Sequence, residues 1–514
     1  MASGGRQILP ENARRWWRYG VAAVIGVLAL AHLPFVVYGY GETDAALTAI
    51  VATLWAQDGQ LPLESALFVE ERFRSNPLYV HLIKSLLCAE WISRDQIAAA
   101  MNGFTALCGI VLPAAAFIVL RRLTSPAEAA IATVLILVSP VVFHSNCIGF
   151  CTIPSLLGFL FSVMTFQRFM DRPDRRYGWA ALSAGLLILA VLTKVDVLLL
   201  SPCLVMTALI HGNLRRRKEA IALACVFPFV GVFVWHVYCQ AVAPNASDTV
   251  SAFQSWSKQW PLYPAGLYSG LNLTNVVMAP GIGTAAAFGL GVVVCLLHKA
   301  WRSAVLAILG CILPTLLFWG MQEINSSRHN LWIVIPVAAF VSFVLYRLLK
   351  RTWLILLVLA GIGAGNYLLG PTIPTQFNAS AHWFQAASAR KQVLAAIHRD
   401  FALATRQFVP NGKLCCYRNP SGPWIAAVAV ANSDRSSIKR SGPKQSVWHI
   451  EMTIRSKSKI IWVPNALDRS RETWNKIHDE GWTAIVWRNG VPPFFRIYRT
   501  GKRVPWPETG RWQP

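Results

Sequence analysis

The sequence predicts an all-α polytopic membrane bundle of about eleven transmembrane helices, followed by a small C-terminal extracytoplasmic α/β domain. Three observations predict it. Hydrophobic residues make up 54% of the 514-residue chain and charged residues only 14%, with a net charge of +24, a combination foreign to soluble chains of this size. Apolar runs close to the ~20 residues that cross a ~30 Å hydrocarbon core recur from Gly20 to about Tyr367 and then stop. Basic clusters fall in every second connection between those runs.

The runs place spans near 20–38, 98–120, 127–144, 154–169, 178–193, 195–211, 219–241, 276–297, 303–320, 331–346 and 352–369. The first is a retained helix rather than a cleaved signal, because it is long, lacks a small-residue cleavage site and runs directly into an acidic loop. Arg14/Arg15/Arg18, Arg121/Arg122, Arg168 to Arg176, Arg215 to Lys218, Lys299/Arg302 and Arg347 to Arg351 mark the cytoplasmic connections. The N-terminus is then cytoplasmic, and the first loop (39–96) and the tail lie outside. The predicted domains are a membrane module, 1–369, and a soluble periplasmic domain, 370–514, in a bacterial inner membrane.

That first loop holds Glu42, Asp44, Asp58, Glu64, Glu70, Glu71, Glu90 and Asp95, eight of the 24 acids of the chain. Carboxylates beside a membrane are costly to desolvate and tend to serve proton transfer or cation binding. In Glu64–Phe73 and Leu82–Ile92 apolar residues recur at helical spacing beside charges, which predicts helices lying on the membrane. They either frame a groove for a lipid-borne substrate or plug the mouth of the bundle.

Two more outer connections carry polar groups. Thr193-Lys194-Val195-Asp196 joins two short spans, and Lys194 there is either the partner of Asp196 or a partner for phosphate. Gln322 to Asn330 gathers Glu323, Arg328 and His329 where the chain re-enters the membrane, either as an interfacial anchor or as a contact for anionic lipid groups. The basic tail alternates strand-like segments (Lys459–Pro464, Ala484–Arg488, Phe494–Tyr498) with a helix over Asp468–Glu480. Facing the outside, its charge suits phosphorylated glycans or anionic lipids, or is merely solvated.

All cysteines but Cys415 and Cys416 lie in or beside apolar runs, so no disulfide framework is implied; Cys415–Cys416 and Cys147–Cys151 are the pairs that could bridge. The N-glycosylation triplets at Asn245, Asn272, Asn325 and Asn378 carry no weight outside a eukaryote. A Gly-Lys-Ser/Thr phosphate loop, a His-Glu-x-x-His helix and a Cys-x-x-Cys pair are missing. A cytoplasmic nucleotide is therefore not the direct donor, and the chemistry sits on the outer face. No nucleic-acid partner is implied.

Gly41-Glu42-Thr43-Asp44-Ala45-Ala46 after the first helix, followed by Asn76-Pro77-Leu78-Tyr79-Val80-His81-Leu82, resembles the GT-C superfamily of integral-membrane glycosyltransferases. The nearest pattern is that of bacterial protein O-mannosyltransferases and lipid A aminoarabinose transferases. The resemblance implies transfer of a sugar from a polyprenyl-phosphate carrier to an acceptor on the outer face, usually with inversion. By position it makes Asp44, with Glu42 beside it, the catalytic acidic residue, and Arg328 the contact for the carrier phosphate. Many relatives carry a second acid between the third and fourth spans. Here His144-Ser145-Asn146-Cys147 has none, which weighs against a two-carboxylate metal site and leaves His144 or Asn146 as acceptor-binding substitutes.

The chemistry follows without the family. A hydroxyl attacking an anomeric carbon needs a base, and a carboxylate in a partly dry cleft suits that task. The leaving phosphate gains charge as its bond breaks, so fixed cations stabilise the transition state; Arg328 and Lys194 come first, then Arg72, Arg74 and Lys84. Tyr79, His81, Glu323 and His329 join His144 and Asn146 as acceptor- or substrate-binding candidates. No cofactor is required, although a divalent cation could bridge Glu42 or Asp44 to the phosphate. The basic tail leans toward an anionic acceptor such as lipopolysaccharide. A lipid-linked sugar flippase would hold its ionisable groups near mid-membrane, and an O-antigen ligase or polymerase would need a larger late loop; these are the alternatives.

Overall fold

The computed structural model describes residues 11–36, 43–59, 61, 73, 75–171, 176–210, 217–242, 275–276, 278–320, 327–349 and 351–369, and five strands within 412–498. The helices are α1 (Glu11–Leu30), α2 (Thr43–Asp58), α3 (Pro77–Cys88), α4 (Ile97–Leu123), α5 (Pro126–Leu137), α6 (Pro140–Cys147), α7 (Thr152–Asp171), α8 (Arg176–Thr193), α9 (Ser201–Ile210), α10 (Arg217–Val242), α11 (Ile282–Leu297), α12 (Arg302–Gly320), α13 (Val334–Leu348) and α14 (Thr352–Ala364). Short 3-10 segments, Val195–Leu200 and Ser327–Ile333, lead into α9 and α13, and a π turn, Gly365–Leu369, closes α14. Among the described residues six helices are long and apolar enough to cross a membrane, and the bent pair α5–α6, counted as one span, makes a seventh. The predicted spans at 20–38, 178–193, 195–211 and 276–297 coincide with shorter apolar helices.

The centre of the bundle is α7, which packs along α8. Small residues let the two backbones approach. A Cβ on Gly158 would stand 3.2 Å from that of Ala190, Ser155 Oγ donates to Ala190 O at 2.8 Å, and Ser162 Oγ to Ser183 O at 2.8 Å. In lipid, where apolar surface alone does not drive helices together, such close packing and interhelical hydrogen bonds do. Phe166, Phe169, Leu156 and Ile153 fill the core around this contact. Phe229, Leu290, Leu306 and Leu356 point outward and exposed, as lipid-facing side chains do.

One end of the bundle is closed by charge. Ser125 and Glu128 form a reciprocal cap on α5, with Glu128 N–H donating to Ser125 Oγ at 3.2 Å and Ser125 N–H to Glu128 Oε2 at 2.7 Å, and Pro126 opens the helix. Arg347 reaches the buried Glu128 at 3.7 Å, and Arg122 pairs with Asp171 at 3.1 Å. These are residues of the basic connections, so α4, α5, α7 and α13 are tied together at the end that the charge pattern assigns to the cytoplasm.

The structure departs from the sequence reading in five places. The span at 127–144 is not one rod: α5 and α6 meet at 61°, because Pro140 lacks an N–H and its ring excludes the preceding turn. The segment His144–Cys147, read as a loop, is the end of α6. In the first outer segment α2 is a full helix that the amphipathic search passed over, since its Ala, Thr and Val residues are buried without a charged face to contrast them. The helix sought at Leu82–Ile92 is α3, which starts at Pro77 and stops at Cys88; apart from Phe73, the one sought at Glu64–Phe73 lies outside the described residues. In addition, α11 begins at Ile282 rather than 276, after Gly281 in a left-handed conformation, φ 96°.

The α5–α6 break and the start of α11 share one buried amide. Asn366 Oδ1 accepts from Gly283 N at 2.9 Å and Thr284 N at 3.2 Å, while its Nδ2 donates to Val138 O at 3.1 Å and Thr284 Oγ1 at 3.1 Å. Ser139 Oγ adds a bond to Ala279 O at 2.9 Å.

In the tail, β1 (Gly412–Cys416), β2 (Met452–Thr453), β3 (Ser458–Val463), β4 (Trp482–Trp487) and β5 (Phe495–Tyr498) form one sheet of order β2-β1-β3-β4-β5. The central β1, β3 and β4 run parallel, with Leu414 opposite Ile460 and Ile461 opposite Ala484, and the two edges are antiparallel. A parallel β3–β4 pair needs a crossover; the segment Asp468–Glu480, read as a helix, lies between them and outside the described residues.

Gly281 tests the Asn366 junction. A side chain there is strained by the positive φ and would collide with the Asn366 amide, whereas Gly20 has open space around its Cβ position. Gly281→Val should therefore destabilise the detergent-solubilised protein by about 2–4 kcal/mol, and Gly20→Val should leave its melting temperature nearly unchanged.

Candidate active site

The helix that carries Asp44 and the helix that carries the Asn-Pro-Leu-Tyr segment are hooked to each other. Asp44 is the second residue of α2, in a first turn whose free N–H groups favour negative charge. One turn on, Thr48 Oγ1 accepts a bond from Asn76 Nδ2 at 3.1 Å, both residues being buried. Ser75 Oγ in turn donates to Asn76 Oδ1 at 2.9 Å. Pro77 opens α3 immediately after Asn76, which fixes the angle at which the chain enters. The pairs Thr48–Asn76 and Trp55–His81 follow each other in the same order along both helices, so α2 and α3 run parallel.

Further along the pair, aromatic rings and a cation converge. His81 Nδ1 is bonded to Tyr238 Oη, near the C-terminal end of α10. The His81 ring lies 4.9 Å from the buried Trp55, Lys84 Nζ stands 5.2 Å from the centre of the same indole, and Phe73 meets Trp55 edge-on at 5.7 Å. Burial, and then the Lys84 ammonium, hold the His81 imidazole below its ordinary range, so at neutral pH it is uncharged and able to accept a proton. Tyr79 turns to the other side of α3 and is buried near Phe104 of α4.

The other polar connections form a second group. The 3-10 segment 327–333 packs against α12, α6 and the 195–200 turn. It brings the backbone of Arg328 beside the helix of His144 and Asn146 and the turn that holds Asp196. His329 stacks on Trp319 with ring centres 4.2 Å apart. Lys194 Nζ pairs with Asp196 Oδ2 at 3.0 Å and lies 4.8 Å from the Phe150 ring, with only 11% and 13% of the two side chains exposed. The ammonium is thus held between a carboxylate and the face of a ring. Asn146 is buried and bonded to His32 Nδ1 at 2.9 Å, and His144 is half-buried. Cys147 and Cys151 are not joined in a disulfide, and the Cys147 thiol donates to His32 O at 3.7 Å.

Glu42, Arg72, Arg74 and Glu323 lie outside the described residues, while Asp44 and Arg328 are located by their backbone. Among the described residues no three His, Cys, Asp or Glu side chains converge as a metal cluster. Sequence reasoning passed over Trp55, Tyr238 and Trp319. Tyr238 is 157 residues from its partner His81, and nothing in the local pattern distinguishes it from other interfacial aromatics.

Residues 92–238, from the end of the first outer loop to the end of α10, match the family model described as dolichyl-phosphate-mannose-protein mannosyltransferase. This match, over less than a third of the chain, is in line with the GT-C resemblance. Comparison with curated protein sequences gives no match. Among solved structures, ArnT from Cupriavidus metallidurans bound to undecaprenyl phosphate is similar at 15% identity over 81% of this chain and 74% of that one, with a TM-score of 0.48. The Archaeoglobus fulgidus oligosaccharyltransferase AglB, in complex with an inhibitory peptide and a dolichol-phosphate, is similar at 10% identity over 88% of this chain and 62% of that one, with a TM-score of 0.47.

The Lys194–Asp196 pair should behave as a unit. Lys194→Met strands a carboxylate in a nearly dry site and should cost roughly 3 kcal/mol, and adding Asp196→Leu should restore at least half of the loss in melting temperature. The depressed His81 titration has a sign of its own. Below the ordinary histidine value of 6.5 the unfolded chain binds more protons at this position than the folded one. Stability should therefore fall as pH drops from 6.5 toward the folded value, and His81→Gln should flatten that part of the melting-temperature profile.

Proposed function

We propose that this protein is a membrane glycosyltransferase that moves a sugar from a polyprenyl-phosphate carrier to a hydroxyl of an extracytoplasmic acceptor. The observation that carries this reading is the Asn76–Thr48 hook, which joins the α2 helix of Asp44 to the Asn-Pro-Leu-Tyr helix and its Lys84. The family match over 92–238 supports it independently. The chain crosses the bacterial inner membrane eleven times, with the N-terminus in the cytoplasm and the C-terminal sheet as part of a small periplasmic α/β domain.

In this reading Asp44 takes the proton from the acceptor hydroxyl as its oxygen attacks the anomeric carbon. The bond to the carrier phosphate breaks on the opposite face, so the sugar is transferred with inversion. Charge builds on the departing phosphate, and Lys84, Lys194 and Arg328 stabilise it as fixed cations more strongly in the transition state than in the ground state. His81, held neutral and oriented by Tyr238, lies beside Lys84 to hold a hydroxyl of the substrate. The net basic tail favours an anionic envelope acceptor such as lipopolysaccharide.

The test is transfer of labelled sugar from a polyprenyl-phosphate donor in proteoliposomes. Asp44→Asn should lower kcat by at least about 100-fold with donor binding intact, and Lys84→Gln should raise the donor KM about tenfold. Movement of the lipid-linked sugar between leaflets without any transfer would identify a flippase instead.

A further inference from the structure

Helices α9 and α12 pack against each other, and each brings a thiol to the contact. Cys203 lies near the middle of the apolar run Val195–Ile210, and Cys311 near the middle of the run Lys299–Trp319. Their side chains are hydrogen-bonded to each other, and neither is in a disulfide. Cys311 is buried, whereas Cys203 is partly exposed. One sulfur is therefore held inside the bundle, and its partner can be approached from the surface.

Helix α12 is able to give at this position. Pro314 lies inside it and has no N–H to offer the carbonyl of Gly310, the residue just before Cys311. Gly310 faces open space, with nothing within 4 Å of its Cβ position. The turn that carries Cys311 thus lacks one backbone hydrogen bond and a packed neighbour, the conditions under which a helix bends locally. Passing from a thiol–thiol hydrogen bond to an S–S bond of about 2.0 Å requires such an approach of the two backbones.

We infer that Cys203 and Cys311 are a redox-active dithiol, oxidised to an interhelical disulfide by a quinone dissolved in the bilayer. Two S–H bonds break and one S–S bond forms, while the two electrons and two protons pass to the quinone, which leaves as the hydroquinone. A quinone suits the site because both cysteines sit midway along apolar runs, at the depth of the hydrocarbon, where polar oxidants partition poorly. The bond closes a loop of roughly 100 residues, which restricts the unfolded chain. In the folded chain it fixes α9 to α12, the helix on which the 195–200 turn and the 327–333 segment both pack.

The test uses the full-length protein in phosphatidylcholine proteoliposomes, treated with decylubiquinone or, as the control, with decylubiquinol. Remaining thiols are alkylated, and unreduced peptides are mapped by mass spectrometry. The quinone should yield a Cys203–Cys311 linkage that dithiothreitol reverses, and the linked protein should melt about 5 °C higher than the reduced one. Cys203→Ala and Cys311→Ala should each lose the linkage and the increment together, whereas Cys225→Ala, which removes an exposed thiol of α10, should keep both. Recovery of Cys203 and Cys311 as alkylated thiols from the quinone-treated wild type would overturn the proposal. A disulfide from either of them to a different cysteine would do the same, as would a linkage that leaves the melting temperature unchanged. None of these readouts depends on glycosyl transfer, so the inference and the proposed activity stand or fall separately.

Discussion

Pro140 breaks a helix inside the membrane, and the bundle has to satisfy the backbone groups that the break releases. In hydrocarbon an unpaired carbonyl or N–H costs several kcal/mol, so the 61° bend between α5 and α6 persists only because partners stand ready. Asn366 is the main one. Its amide binds Val138 O on one side and the first N–H groups of α11 on the other, and Ser139 reaches Ala279 O. The π turn that holds Asn366 and the left-handed Gly281 beside it both serve this junction. Helix α6 leaves at an angle as a result and packs against the 327–333 segment, which brings the His144 helix beside the segment of Arg328.

The two ends of the bundle use charge differently. At the end marked by the basic connections, Arg347–Glu128 and Arg122–Asp171 join helix termini. The ions there balance each other and serve the fold. At the opposite end, Lys194–Asp196 lies beside the Phe150 ring, and two further groups join distant parts of the chain: His329 on Trp319 and, on the α2–α3 pair, His81 with Tyr238, Trp55 and Lys84. A neutral histidine, a desolvated ammonium and a helix N-terminus are the parts that proton removal and phosphate departure require. The Arg347–Glu128 and Arg122–Asp171 pairs offer none of them.

The sequence alone determined that the chain is a helical membrane bundle, because hydrocarbon demands long apolar helices. It located a helix at each of the eleven predicted spans and singled out the connecting segments that contain Asp44, Lys194 and Arg328. Local rules reached this far because each depends on a continuous stretch of chain: length, periodicity, and charge at the ends. They missed α2, where burial on several sides removes the amphipathic contrast, and they read across the break at Pro140, since a Pro in an apolar run is often carried within a membrane helix, as Pro113 and Pro228 are. What only the tertiary structure decided was which polar groups meet. The Asn76–Thr48 hook, the His81–Tyr238 pair and the Asn366 junction join residues 28, 157 and 228 positions apart. Such contacts follow from how rigid helices pack once their directions are set, and no periodicity along the chain encodes that geometry.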